Sequence, residues 1–223
     1  MITVHHLENS RSQRVLWLLE ELNLEYEVKR YQRDPKVMLA PSLLKAVHPL
    51  GKAPVITDGV RTIAETGAIV EYLVERSGGG NLSPPADSDE RLRYTYWLHY
   101  AEGSIMPWLL MKLVFDRLPR PPMPLPMRPF AKAIAAGVKA KLITPQIKLH
   151  LDYIETELGK NAWFAGGEFS AADIQMSFPL EGAAARGGLN DNHPHIRQFL
   201  ERIHARPAYK RALERGGPFA LLG

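Results

Sequence analysis

The sequence predicts two domains, a mixed α/β domain followed by an all-helical domain, and two patterns lead to this fold class. Short segments with the alternation of β-strands occur only within residues 1–80, where helical patterns separate them. From residue 89 to residue 223, only apolar spacing of helical period continues. Between the two parts, residues 81–88 contain adjacent prolines and polar side chains, which is typical of a linker.

The first domain is predicted to alternate strands and helices. Apolar residues from Val15 to Leu22 recur at helical spacing, whereas the short runs on either side have the alternation of strands. Asp58-Gly59 lies between two further strand-like segments and predicts a hairpin. The predicted order is strand, helix, strand, hairpin and helix, at residues 2–7, 15–22, 26–31, 54–63 and 66–76. Gly78 is expected to stop the last of these helices.

The second domain is predicted to be a bundle of long helices, at residues 90–115, 130–158, 171–185 and 196–205. The proline-rich stretch at residues 118–129 cannot be helix interior, because each proline removes a donor and crowds the preceding turn. An interhelical loop near a substrate cleft is favoured there over a polyproline ligand for a partner domain. The whole order of elements predicts an N-terminal thioredoxin-like domain followed by a C-terminal helical-bundle domain.

Composition limits the classes of function. The chain of 223 residues has 45% hydrophobic residues and no apolar run long enough to span a bilayer, so a cytoplasmic protein is expected. Its net charge is +4, with basic residues interleaved among apolar ones, which argues against nucleic-acid binding. The chain has no cysteine, so any thiol chemistry requires a thiol brought by a substrate. No histidine or acidic cluster has metal-ligand spacing, and no metal site is expected.

One stretch of the first domain has the features of a site for a small polar ligand. Residues 48–56 predict a loop followed by a strand that Pro54 introduces, and Glu65-Thr66 then stands at the start of a helix. A helix start offers free backbone N–H groups and a positive dipole end to an anion. Glutamate and threonine are also common near helix starts for capping alone, and the two interpretations are compatible.

Several segments together resemble the cytosolic glutathione transferases, in particular a serine-type bacterial and fungal branch that includes a yeast type. The resemblance is carried by residues 10–22, by the 48–56 and 63–69 segments, and by the helix-capping signature at residues 169–174, where Ser170 and Asp173 cap a helix. It covers nearly the whole chain and implies a homodimeric enzyme with glutathione as co-substrate. The implied glutathione-binding residues are Lys52, Ala53, a cis Pro54, Glu65 and Thr66, with His48 as a weaker candidate.

The loop at residues 8–14 is expected to activate the thiol of glutathione. Lowering a reference thiol pKa of about 8.5 by two units requires roughly 2.7 kcal/mol. A helix N-terminus supplies only about 0.3–1 kcal/mol, whereas a hydrogen bond to a charged group supplies about 1.5–3 kcal/mol. Ser10 is the favoured donor, because Ser10 and Arg14 match the spacing of serine-type transferases; Asn9 and Ser12 are the alternatives.

The function that the resemblance implies is conjugation of glutathione to an apolar electrophile, with reduction of organic hydroperoxides as a possible second activity. Family members place their electrophile pocket at positions that correspond to Tyr100, Glu102, Met106 and Trp108. The alternative function is a non-catalytic binding or regulatory protein that uses the same fold, since a fold alone does not establish an activity.

Overall fold

The computed structural model describes residues 1–33, 40–77, 82–186, 188–217 and 219. The N-terminal part forms a four-stranded sheet from β1 (Ile2–Leu7), β2 (Tyr26–Tyr31), β3 (Val55–Asp58) and β4 (Arg61–Ala64). The strand order is β2-β1-β3-β4, with β1 parallel to β2 and antiparallel to β3. Helices α1 (Ser12–Glu21) and α2 (Thr66–Arg76) complete the thioredoxin-like arrangement. The predicted order of elements is therefore confirmed.

Two boundaries show how local chemistry sets the elements. The hairpin strands begin one residue later than predicted, because Pro54 has no N–H to give to a ladder and β3 starts at Val55. Helix α2 begins and ends as predicted, at Thr66 and Arg76. The predicted helix stop at Gly78 lies outside the described residues.

The helical part contains two long helices that are each interrupted by a π-helical turn. Helices α3 (Asp89–Tyr100) and α4 (Met106–Arg117) are joined by the π-turn Ala101–Ile105, and α5 (Arg128–Val138) and α6 (Thr144–Lys160) are joined by the π-turn Lys139–Ile143. Most of the proline-rich stretch lies between α4 and α5 as a loop with one short 3₁₀ turn at Leu125–Met127, and its last two residues, Arg128 and Pro129, are in the first turn of α5. Among the described residues, no helix is long and apolar enough to cross a bilayer.

Three further helices close the fold: α7 (Ala171–Ala185), α8 (Pro194–Ala205) and α9 (Pro207–Gly216). Helix α9 was not predicted, because it is short and most of its side chains are charged or small. It packs on α1 in the first domain, where the rings of Trp17 and Tyr209 meet edge to face at 5.0 Å. Arg206, just before α9, binds the carboxylate of Glu21 through two nitrogens at 2.5 and 2.9 Å. The last helix of the second domain therefore packs against the first domain.

The predicted capping box at the start of α7 is present. The Asp173 carboxylate accepts the backbone N–H of Ser170 at 2.8 Å and that of Phe164 at 2.9 Å. The side chain is fully buried, and burial raises the pKa of Asp173 to about 7 although these donors oppose the shift. One carboxylate thus fixes both the helix start and the preceding loop.

Asp173→Ala is expected to lower the free energy of unfolding by about 3 kcal/mol, because a lost cap costs about 1 kcal/mol and each buried N–H left without a partner costs about 1–3 kcal/mol. Denaturant unfolding measures this loss. Asp173→Asn is the matched control and should be milder, because it keeps one oxygen acceptor at the same position. An alanine variant as stable as the wild type would contradict the assigned role.

Candidate functional site

The loop between β1 and α1 brings two serines together inside the protein. Ser10 is 6% exposed and Ser12 is completely buried. Their hydroxyl oxygens are 2.8 Å apart, and the backbone N–H of Ser12 donates to the Ser10 hydroxyl oxygen at 3.2 Å. Asn9 precedes them with an exposed side chain and a positive φ of 49°, a conformation that asparagine tolerates better than most residues. Ser10 is thus the less buried residue of this pair.

Ser12 is also bound to the first strand. Its hydroxyl lies 2.9 Å from Nδ1 of His6 and accepts the backbone N–H of Leu7 at 3.2 Å. His6 is buried, and burial together with the nearby Arg30 charge lowers the pKa of its ring to about 4. His6 is therefore neutral at neutral pH. A continuous hydrogen-bonded chain runs from His6 through Ser12 to Ser10.

A buried guanidinium joins three elements behind this loop. Arg14 is 2% exposed and donates to the backbone oxygen of Gln175 at 2.6 Å, to the Thr66 hydroxyl at 3.3 Å and to the Glu102 carboxylate at 2.5 Å. Arg11 donates from Nε to both oxygens of Glu102 at 3.0 Å. Burial by itself would raise the pKa of Glu102, but the charges of Arg14 and Arg11 outweigh burial and hold that pKa below its usual range. The carboxylate is consequently ionised.

The loop before β3 contains the cis peptide bond that the resemblance implies, between Ala53 and Pro54. The pairing of β1 with β3 begins at Val55, so Ala53 lies just beyond that ladder. Gly51 has a φ of +57°, and a Cβ there would lie 2.8 Å from the Lys45 side chain, which leaves glycine as the fitting residue. Lys52 is exposed at the same loop. His48 is half-buried and accepts the Leu50 N–H at 3.4 Å.

The start of α2 is strained and open. Glu65 has a φ of 70°, which is unusual for a residue with a long side chain, and its carboxylate does not cap the helix. Thr66 is buried and its hydroxyl faces Arg14, whereas the Glu65 side chain is exposed. A helix start without a side-chain cap keeps its first N–H groups available to a ligand.

A cavity of about 380 Å³ opens beside this helix start. Its wall combines the start of α2 with the α3 end and π-turn and with α7, through Glu65, Thr66, Gly67, Ala68, Glu71, Leu98, His99, Glu102, Gly103 and Gln175. The Gln175 side chain is completely buried, and neither its amide nitrogen nor its amide oxygen has a hydrogen-bond partner among the described residues. The cavity therefore adjoins both parts of the molecule and contains polar groups of both hydrogen-bonding kinds.

Two of the four residues predicted for an electrophile pocket, Tyr100 and Glu102, line different cavities. Glu102 lies beside Thr66, as described above. Tyr100 is buried in an aromatic cluster, in contact with Trp97, and is hydrogen-bonded to His150. Met106 is buried and Trp108 is half-buried against the core. Tyr100 and Met106 are therefore residues of the hydrophobic core.

Sequence reasoning did not identify Arg11, Gln175 or His6 as parts of this site, and it used Arg14 only as a spacing marker. The guanidinium of Arg14 and the oxygen of Gln175 are 161 positions apart in sequence, so no local pattern could pair them. The available sequence signal was the position of Arg14, a charged residue next to the apolar residues of the predicted helix. Such a residue is rarely buried unless it is paired.

Comparisons with known proteins agree over the whole chain. Residues 1–75 match the family model "Glutathione S-transferase, N-terminal domain", and residues 131–207 match "Glutathione S-transferase, C-terminal domain". Glutathione S-transferase 3 of Schizosaccharomyces pombe is 38% identical, over 96% of this chain and 88% of the relative. Glutathione S-transferase 1 of Saccharomyces cerevisiae is 33% identical, over 96% of this chain and 95% of the relative. A solved glutathione S-transferase from Actinobacillus pleuropneumoniae is 34% identical, with a TM-score of 0.82 over 100% of this chain and 95% of that chain.

Proposed function

Because the chain belongs to the glutathione S-transferase family, we propose that it is an active transferase that holds glutathione between the Ser10 loop and the start of α2. The observation that supports this most is the Arg14 clamp, which consists of the hydrogen bonds from Arg14 to the Thr66 hydroxyl, the Glu102 carboxylate and the backbone oxygen of Gln175. Arg14 lies four residues after Ser10, in the first turn of α1, and donates to the Thr66 hydroxyl, so it ties the helix that follows the proposed activating group to the proposed anion site. A protein that had this fold without the catalytic activity would not require the proposed activating group and the proposed anion site to be connected.

Glutathione would lie at the end of the sheet where β1 ends and β3 begins. Its γ-glutamyl carboxylate would meet Thr66 and the free N–H groups of α2, with the neighbouring ammonium group at Glu65. Its cysteinyl backbone would pair with Ala53, which lies outside the β1–β3 ladder and is held by the cis bond to Pro54. The glycyl carboxylate would be within the range of the exposed Lys52, and His48 stands on the same loop.

Ser10 would donate its hydroxyl hydrogen to the glutathione sulfur and so stabilise the thiolate. Ser12 is a weaker candidate because it is completely buried and its hydroxyl already serves His6 and Leu7. Asn9 is exposed and could donate only through its side-chain amide. The bound thiolate is then the nucleophile, and catalysis consists of activating and positioning it.

The second substrate would be an apolar electrophile or an organic hydroperoxide. The guanidinium groups of Arg11 and Arg14 both lie 5.2 Å from the centroid of the Phe178 ring, which would offer an aromatic surface to such a substrate. The predicted pocket residues Tyr100, Glu102, Met106 and Trp108 stay a prediction. The proposal includes a homodimer and a cytoplasmic location, which the family resemblance implies.

Thr66→Val is expected to raise the KM for glutathione about tenfold and to change kcat little, because valine keeps the shape and removes one hydrogen bond to a charged group, worth about 1.5–3 kcal/mol. Steady-state kinetics with varied glutathione measures this. Thr66→Ser keeps the hydroxyl and serves as the control. A large fall in kcat with an unchanged KM would contradict a role in binding.

Calorimetric titration of glutathione near neutral pH, repeated in buffers with different heats of ionisation, tests the function itself. Binding with proton release, followed by turnover of an apolar electrophile, is the result expected of the transferase. Absence of binding would instead favour the non-catalytic alternative, a binding or regulatory protein with this fold. Binding without proton release would remove Ser10 as the activating group.

A further inference from the structure

Arg11 leaves most of its guanidinium group without a partner. Its Nε lies 3.0 Å from both carboxylate oxygens of Glu102. An arginine that binds a carboxylate often pairs two of its nitrogens with the two oxygens. Here one nitrogen serves both oxygens, so the two Nη groups have no hydrogen-bond partner among the described residues. The Arg11 side chain is 34% exposed and neither Nη atom is buried, so these N–H donors are open to a ligand.

Two contacts hold this guanidinium between the domains. Arg11 belongs to the loop directly before α1, whereas Glu102 lies in the π-turn after α3 and Phe178 lies in α7. The guanidinium carbon is 5.2 Å from the centroid of the Phe178 ring, a distance at which a cation is attracted to an aromatic ring. The group is therefore in place before any ligand binds, which lowers the entropy cost of binding one.

The cluster around Glu102 has a surplus of positive charge. Arg11 and Arg14 share this one ionised carboxylate. The side chain of Arg14 is 2% exposed and its Nη groups donate to protein acceptors, so a ligand cannot reach it. Glu181 provides another buried carboxylate in α7, but that group is bonded to side chains of α8 and α9. The surplus charge is consequently accessible at Arg11.

We propose that Arg11 is a specificity-determining residue that binds a carboxylate or similar anionic group on the second substrate. This inference rests on the proposed transferase function and adds a charge to the apolar electrophile. Arg11 follows Ser10 directly, and consecutive Cα atoms are about 3.8 Å apart, so an anion at the Nη groups lies within about one arginine side chain of Ser10. Paired N–H groups match the two oxygens of a carboxylate, and the Phe178 ring would contact the apolar part of the substrate.

Glutathione conjugates test this inference without requiring turnover. S-benzylglutathiones with a carboxylate at ring position 2, 3 or 4 are compared with the matched carboxamides, which have nearly the same shape and no charge. Calorimetric titration at pH 7 measures each affinity. The wild type is expected to bind at least one carboxylate about tenfold more tightly than its carboxamide, the effect of one hydrogen bond between charged groups. Absence of any such preference at all three positions would overturn the inference.

Arg11→Gln should remove this preference and leave the affinity for glutathione itself unchanged. Arg11→Lys keeps the charge but not the planar fork, and should retain part of the preference. Arg197→Gln removes the same charge from an exposed ion pair on α8 and should keep the wild-type preference, which controls for net charge. A preference that survives in Arg11→Gln would overturn the inference. Weaker binding of glutathione to Arg11→Gln would also overturn it, because Arg11 would then belong to the glutathione site.

Turnover shows whether the same contact acts in catalysis. The chloromethylbenzoate with the preferred ring position is compared with its chloromethylbenzamide; in both, the glutathione sulfur bonds to the benzylic carbon and chloride leaves with the bonding electrons. At saturating glutathione, Arg11→Gln should raise the KM for the benzoate about tenfold and change kcat little, because the carboxylate is bound alike before and during the reaction. Equal changes with the benzamide would overturn the inference. Failure of the wild type to bind glutathione would instead defeat the proposed function.

Discussion

Arg14→Met is expected to lower the free energy of unfolding by about 3 kcal/mol and to weaken glutathione binding together with it. Removing one partner of a buried ion pair costs about 3–5 kcal/mol, and the lower end applies because Glu102 keeps Arg11 and its side chain is 32% exposed. The backbone oxygen of Gln175 and the Thr66 hydroxyl lose a donor at the same time. Denaturant unfolding and glutathione titration measure the two effects.

Arg14→Lys is the matched control for the charge. Lysine keeps the positive charge but lacks the planar fork with which arginine binds three acceptors at once, so it should recover part of the stability and little of the glutathione affinity. A methionine variant that loses less than about 1 kcal/mol would show that the clamp is no more than a surface ion pair, since those contribute about 0–1 kcal/mol. Unchanged glutathione affinity in that variant would separate the clamp from the anion site.

The parts of the site that local sequence encodes were predictable. Pro54 without an N–H, Glu65-Thr66 ahead of an apolar helical pattern, and the capping pair Ser170 and Asp173 each act through neighbours in the chain. The start of β3, the start of α2 and the capping box follow from short-range sterics and hydrogen bonds, which a sequence pattern records, whereas the positive φ of Glu65 does not. The element order and the bounds of α2 were predicted for the same reason.

The parts that depend on distant contacts were not predictable. The helical pattern from residue 90 onward gave no sign of the π-turn Ala101–Ile105, which inserts an extra residue per turn and changes the direction of the side chains on either side of it. Tyr100 and Glu102, which lie on either side of the start of this π-turn, line different cavities. Helix α9 was missed because its stability comes from packing on α1 and not from its own apolar pattern.

Ser10→Ala is expected to lower turnover about tenfold at pH 7 and to leave glutathione affinity almost unchanged. The lost hydrogen bond to a charged sulfur is worth about 1.5–3 kcal/mol, which corresponds to a rise of about one to two units in the pKa of the bound thiol. The fraction of thiolate at pH 7 falls accordingly. A more basic thiolate is a better nucleophile, which offsets part of the loss.

The pH dependence distinguishes this mechanism from a structural defect. Above the raised thiol pKa, wild type and variant both hold glutathione as thiolate, so the ratio of their kcat values should approach one as the pH rises through that value. A misplaced ligand would instead lower kcat by the same factor at every pH. Ser10→Thr keeps a hydroxyl donor and should retain the wild-type thiol pKa. If Ser10→Ala keeps full turnover at pH 7, the donor is not Ser10, and Asn9 becomes the candidate because its side chain is exposed whereas Ser12 is buried.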